Sequence, residues 1–180
     1  ISLLMIFIIK PAVAQTLVDI SSSSATLMDA GTGTILFEKN PHEKMEPASI
    51  TKIMTLIIAF EAIESGKVNL SDIVRVSERA WKTGGSQVFL GPGEEQSLEN
   101  LLKCIVVASA NDASTAVAEY IGGSVEGFVK LMNDKAKELG MTNSNFTNPH
   151  GLSDPEHYTT AYDIALMSRE LVKYPMFFKW

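Results

Sequence analysis

From Ser49 onward apolar residues recur at intervals of three and four: Ile50, Ile53, Met54, Ile57, Ile58 and Ile63 all lie in SITKIMTLIIAFEAIES. That period predicts a helix, its apolar density predicts burial on most sides, and Gly66 is placed to cap its C-terminus. Ser97 before LENLLKCIVVAS is placed to N-cap a second helix, and Asn111 to Tyr120, backed by Gly122-Gly123, reads as a third. A fourth is expected from about Ser124 to Leu139, stopping at Gly140, and a fifth from the Thr160-Ala161-Tyr162-Asp163 capping-box spacing to about Val172. Ahead of these, Ala25 to Ala30 and Thr34 to Glu38 are strand-like, and Gly31-Thr32-Gly33 suits the turn of an antiparallel hairpin. The stretch MTNSNFTNPHGLSDPEHY, rich in Asn, Pro, Gly and Ser, is expected to be a long ordered loop. A lone hairpin followed mostly by helix is unusual, because two strands need further strands or a packed face to persist.

Residues 1–9, ISLLMIFII, form an apolar run followed by Lys10-Pro11 and Ala12-Val13-Ala14. The run is far short of the ~20 residues that span a bilayer. It fits the apolar part of a secretory signal with a small-residue cleavage site, so export with cleavage after Ala14 is expected rather than a membrane anchor. Residues 15–24, including Ser21 to Ser24, read as a linker, and 25–180 as the folded domain. With 46% hydrophobic and 20% charged residues the chain has the composition of a globular core. A net charge of −6 without any long Lys/Arg run gives no nucleic-acid surface. The single cysteine, Cys104, lies in an apolar helical run and is read as a buried structural thiol.

Candidate chemistry starts at Pro47-Ala48-Ser49-Ile50-Thr51-Lys52. A Ser-x-x-Lys pattern arises by chance about once in a chain of this size, and a serine at a helix start is usually only a cap. Here, however, Lys52 sits one turn along from Ser49 on an otherwise apolar helix, where an ammonium either snorkels outward or is held for a reason. If held, desolvation favours the neutral amine, which accepts a proton from a serine hydroxyl. The helix N-terminus also directs backbone N–H groups to where an acyl oxyanion would develop. A second polar pair, Ser109-Ala110-Asn111, falls between two predicted helices 60 residues after Ser49. It suits a loop with a cap, or a pair brought to Ser49 and Lys52, with Ser109 relaying a proton and the Asn111 amide bonding the lysine or a substrate carbonyl. Zinc chemistry finds no support, since His42, His150 and His157 have no short metal-ligand spacing, and His150 reads as a hydrogen-bonded loop residue.

Taken together, PASITK followed by SANDA resembles the serine-type D-Ala-D-Ala carboxypeptidases, the low-molecular-mass penicillin-binding proteins. The resemblance extends through LMDAGTGTILFEKN, GGSQVFLGPGE, FVKLMNDKAKELGMTNSNFTNPHGL and TTAYDIALMSREL, from about Ala25 to the end. It implies an α+β fold of the beta-lactamase/transpeptidase type, an antiparallel sheet flanked by helices, of which this chain carries the first hairpin and the mostly helical part. It also implies Ser49 as acyl-ester nucleophile, Lys52 as general base, Ser109 as proton relay and Asn111 as a substrate-binding residue. The implied substrate is a peptidoglycan stem peptide ending in D-Ala-D-Ala, with beta-lactam antibiotics as inhibitors, no metal or organic cofactor, and a site of action in the cell envelope outside the cytoplasmic membrane.

The family's third signature is Lys-Thr-Gly on a strand well downstream of Ser-x-Asn. Lys82-Thr83-Gly84 matches the letters but precedes Ser109 by 25 residues in a glycine-rich stretch, so Lys82 is expected to be a solvated loop residue. By the resemblance, the chain is an internal fragment that stops before that strand, inactive by itself, with any membrane association left to missing C-terminal parts. A serine beta-lactamase and a non-catalytic cell-wall-binding homologue are the alternatives. The first is disfavoured because Asn143 to Pro155 contains no glutamate to activate a deacylating water, the second because Ser49 and Lys52 are both present.

Overall fold

A computed structural model describes residues 20–180. The expected signal peptide at 1–14 and the first residues of the linker lie outside the described residues. Strand β1 (Ala25–Met28) pairs antiparallel with β2 (Ile35–Lys39), with an irregularity in register between Leu27 and Met28. Asp29 shapes the connecting turn by accepting from the Thr32 amide and hydroxyl, both at 2.7 Å, and Gly33 adopts φ +77°. Arg169 donates to the carbonyls of Ala30 and Gly31, tying this turn to the helix near the end of the chain.

Pro47 then leads into a 3-10 turn at Ala48–Thr51, which runs directly into helix α1 (Lys52–Glu64). Helix α1 buries residues all around its circumference, including Met54, Leu56, Ile57, Ile58 and Phe60, because it is sandwiched between other helices. It ends at Gly66, φ +72°, as the sequence predicts. Three short elements the apolar pattern did not reveal follow. Strands β3 (Ile73–Arg75) and β4 (Glu95–Ser97) form a second antiparallel hairpin, and between them lie short helix α2 (Glu78–Trp81) and the glycine-rich loop.

Helix α3 (Leu98–Ala108) is capped by Ser97, whose hydroxyl accepts from the Asn100 amide, and α4 (Asn111–Gly122) begins two residues after Ser109. Helix α5 (Val125–Glu138) packs closely on α4 because Gly122 lacks a side chain. A Cβ there would lie 2.5 Å from the Phe128 backbone nitrogen. The segment 141–160 crosses back as a long loop, fixed by bridges Met45–Thr159 and Asn145–Tyr158, and α6 (Ala161–Leu171) follows with Thr160 as its cap. A 3-10 turn at Pro175–Lys179 closes the described chain.

The core runs through Phe60, Phe128, Phe146, Leu101, Leu102, Met132 and Met167, all essentially inaccessible. Cys104 is half-buried and reduced, its thiol pKa raised mainly by burial. Among the described residues no helix is long and apolar enough to cross a membrane. The expectation of an α+β domain carrying a first antiparallel hairpin and a mostly helical part is met, with the second small sheet added to it.

Candidate active site

Ser49 is exposed on the 3-10 turn, whereas Lys52, three residues on, is only 4% exposed. The residue before the serine, Ala48, has φ +46°, a left-handed conformation that a non-glycine residue adopts only when its surroundings enforce it. Lys52 Nζ lies 3.2 Å from Ser49 Oγ, 2.7 Å from Asn111 Oδ1 and 2.9 Å from the His150 carbonyl oxygen. The orientation of the Asn111 amide follows from its surroundings: its Nδ2 donates to the Gly84 carbonyl at 2.7 Å, leaving Oδ1 for the lysine.

The partners decide what the amine does. Asn111 Oδ1 and the His150 carbonyl can only accept, so a neutral lysine commits its two N–H bonds to them. Its lone pair then faces Ser49, whose hydroxyl donates to it. Burial lowers the Lys52 pKa to about 8, so about one molecule in ten holds the neutral amine at pH 7. The adjacent N-terminus of α1 acts in the same direction, since its dipole opposes a positive charge there.

Asn111 and its neighbour Asp112 also hold the glycine-rich loop. The Asn111 backbone nitrogen donates to the Ser86 carbonyl at 2.7 Å, and a Cβ on Gly85 would lie 2.6 Å from Asn111 Nδ2. The Asp112 carboxylate, fully buried, accepts from the amides of Val88 and Leu90. Two consecutive residues thus join the loop to the start of α4.

Ser109 ends α3 in a left-handed conformation, φ +53°, and lines the same cleft of about 390 Å³ as Ser49 and Lys52. Its hydroxyl makes no hydrogen bond to either of them among the described residues, so the structure joins three of the four sequence candidates directly and the fourth only through a shared cavity. Lys82 stands apart, exposed and paired with Glu78 at 3.0 Å as part of the end of α2, in keeping with a solvated lysine. His150 contributes its backbone rather than its ring. The ring Nδ1 accepts from the Leu152 amide, and burial, helped by the Lys52 charge, lowers its pKa to about 4. The His150 carbonyl was not legible as a functional group, because a main-chain oxygen leaves no signature in residue type.

A family model described as D-alanyl-D-alanine carboxypeptidase matches residues 10–180. The D-alanyl-D-alanine carboxypeptidase DacF of Bacillus subtilis is 54% identical over 153 residues, covering 85% of this chain and 39% of its own length. DacC of Escherichia coli is 45% identical over 152 residues, covering 81% of this chain and 38% of its own. Among solved structures, the carboxypeptidase DacD from Francisella tularensis superposes with a TM-score of 0.84 at 40% identity, over 94% of this chain and 40% of its own. Penicillin binding protein 6B from Escherichia coli gives 0.85 at 38% identity, over 89% of this chain and 53% of its own. The chain spans about two fifths of the length of the curated relatives it matches. With a match across nearly its whole length, this chain belongs to the D-alanyl-D-alanine carboxypeptidase family.

Proposed function

We propose that the protein is a serine-type D-Ala-D-Ala carboxypeptidase of the cell envelope, acting outside the cytoplasmic membrane on peptidoglycan stem peptides, and that residues 25–180 carry the acylating half of its catalytic domain. The observation that supports this best is the arrangement of Lys52, whose two non-donating partners leave its lone pair to Ser49.

In the first half-reaction Ser49 Oγ attacks the carbonyl carbon of the penultimate D-alanine while its proton passes to Lys52 Nζ. The carbonyl becomes an oxyanion beside the backbone N–H groups at the start of α1. The C–N bond then breaks, and the departing amine takes a proton from Lys52 by way of the Ser109 hydroxyl, releasing free D-alanine. Water, deprotonated by the same lysine, cleaves the ester and restores Ser49. Asn111 holds the lysine and orients the peptide. A penicillin, whose lactam amide imitates the dipeptide, acylates the same oxygen.

The test is covalent labelling of the intact protein by a fluorescent penicillin. The wild type is expected to carry label at Ser49 and Ser49→Ala to carry none. Equal labelling of the two would remove the assignment.

A further inference from the structure

The long loop between α5 and α6 is stitched at several points to residues 46–55, the stretch that contains the turn bearing Ser49 and the start of α1. Thr55 donates to the Pro149 carbonyl at 2.6 Å, Lys52 to the His150 carbonyl, and Ser153 to Glu46 at 2.8 Å. At the centre of these contacts lies a residue that the chemistry above does not use. His157 is 1% exposed, and its ring joins the two segments: Nδ1 is 3.0 Å from the Thr147 amide nitrogen and Nε2 is 2.7 Å from Thr51 Oγ1.

The partners fix the tautomer. A backbone N–H can only donate, so Nδ1 must carry a lone pair and the single ring proton sits on Nε2, from which it is donated to Thr51. Thr51 is itself fully buried and lies between Ser49 and Lys52. We propose that His157 is a positioning residue for acylation: by accepting from the Thr147 amide and donating to Thr51, it fixes the 147–151 loop against the catalytic turn and sets where the His150 carbonyl meets Lys52. The inference rests on the reading of Ser49 and Lys52 as nucleophile and base.

Protonation undoes this link, because a second ring N–H at Nδ1 would face the Thr147 N–H, donor against donor. Burial holds the ring neutral, and the carboxylates of Asp154 on its own loop and Glu46 before the catalytic turn act the other way. The remaining titratable neighbour, His150, has its own pKa at about 4 and stays uncharged through the range where an ordinary histidine titrates.

Three variants of the intact protein test the proposal, with the rate of acylation by a fluorescent penicillin followed from acid to alkaline pH and the melting temperature measured alongside. His157→Gln retains an acceptor and a donor at matching ends and is expected to acylate within about threefold of wild type. Thr51→Val keeps the volume and His157→Phe keeps a planar aromatic ring, but both lose the link, and each is expected to fall about tenfold or more, roughly the effect of misplacing a catalytic group. On the acid side the wild-type rate should fall more steeply than the first power of the proton concentration over the range where His157 protonates, whereas His157→Gln should follow only the first power set by Lys52.

A merely structural histidine would produce that difference only together with a matching loss of folded protein at acid pH, which the melting temperature, measured at the same pH values, reports. The proposal is overturned if the Phe or Val variant acylates like wild type. It is also overturned if a folded His157→Gln loses as much as the Phe variant, or if the acid limbs of wild type and His157→Gln coincide. The Gln comparison decides the matter even if His157→Phe does not fold. Failure of wild type to label at Ser49 would instead remove the underlying assignment, and this inference with it.

Discussion

Replacing Asn111 by aspartate separates the electrostatic role of this residue from its role in holding the substrate. The substitution keeps an oxygen at 2.7 Å from Lys52 Nζ but gives it a full negative charge. At that distance and an effective dielectric near 20 the bare attraction is about 6 kcal/mol, and the cost of burying the new carboxylate offsets much of it. Measured shifts from such partners are about 1–3 pKa units, so a rise of about 2 units is expected. Lys52 would then titrate near 10 instead of about 8, and its neutral fraction at pH 7 would fall from about one in ten to about one in a thousand. Acylation by a fluorescent penicillin, measured as a rate against pH, should therefore drop about a hundredfold at neutral pH and recover on the alkaline side, with its midpoint moved upward. The aspartate also loses the donation to the Gly84 carbonyl, which lowers the plateau but does not move the midpoint. An unchanged midpoint, or a loss equal at every pH, would refute the claim that the charge state of Lys52 controls the first step.

Two further outcomes are expected. Lys82→Ala should leave the acylation rate within about twofold of wild type, because an exposed pair such as Lys82–Glu78 contributes at most about 1 kcal/mol and reaches no group of the site; a loss comparable to that of Lys52→Ala would show that the loop has been misread. Gly151→Ala should lower stability by at least about 2 kcal/mol and depress acylation, since the backbone has φ +91° and a Cβ would lie 1.8 Å from the Ala48 carbonyl oxygen. A melting temperature and rate equal to wild type would contradict that contact.

Local chemistry made much of the fold legible. The caps Ser97 and Thr160, the helix start at about Ser124 and the stop at Gly66 stand where the sequence put them, because capping is settled among neighbouring residues. The capping-box spacing at Thr160 was half right: Thr160 accepts from the Asp163 amide, but the Asp163 carboxylate turns to the Asn143 amide and Ser144 hydroxyl. The second hairpin was missed because Ile73–Arg75 and Glu95–Ser97 are too short for alternation to register, and the pairing joins segments separated by a whole loop. At the site, Ser49, Lys52 and Asn111 announced themselves by type and order. The His150 carbonyl and the His157–Thr51 link did not, since both depend on a long loop returning to the catalytic turn.

The same dependence gives Lys52 a safety catch. Its acceptors come from residues 111 and 150, far along the chain from residue 52 itself, so no partially folded chain in which those segments are apart can assemble the proposed base. In such a chain the lysine reverts to the ordinary solvated value of 10.5, and only about one molecule in three thousand carries a neutral amine at pH 7. Relative to the native site that is about a three-hundredfold smaller supply of base, before any loss of alignment with Ser49 is counted. On the proposed reading of Lys52 as the base of Ser49, the serine stays chemically quiet until folding has closed the longest of these contacts, and acyl donors met earlier find an ordinary alcohol.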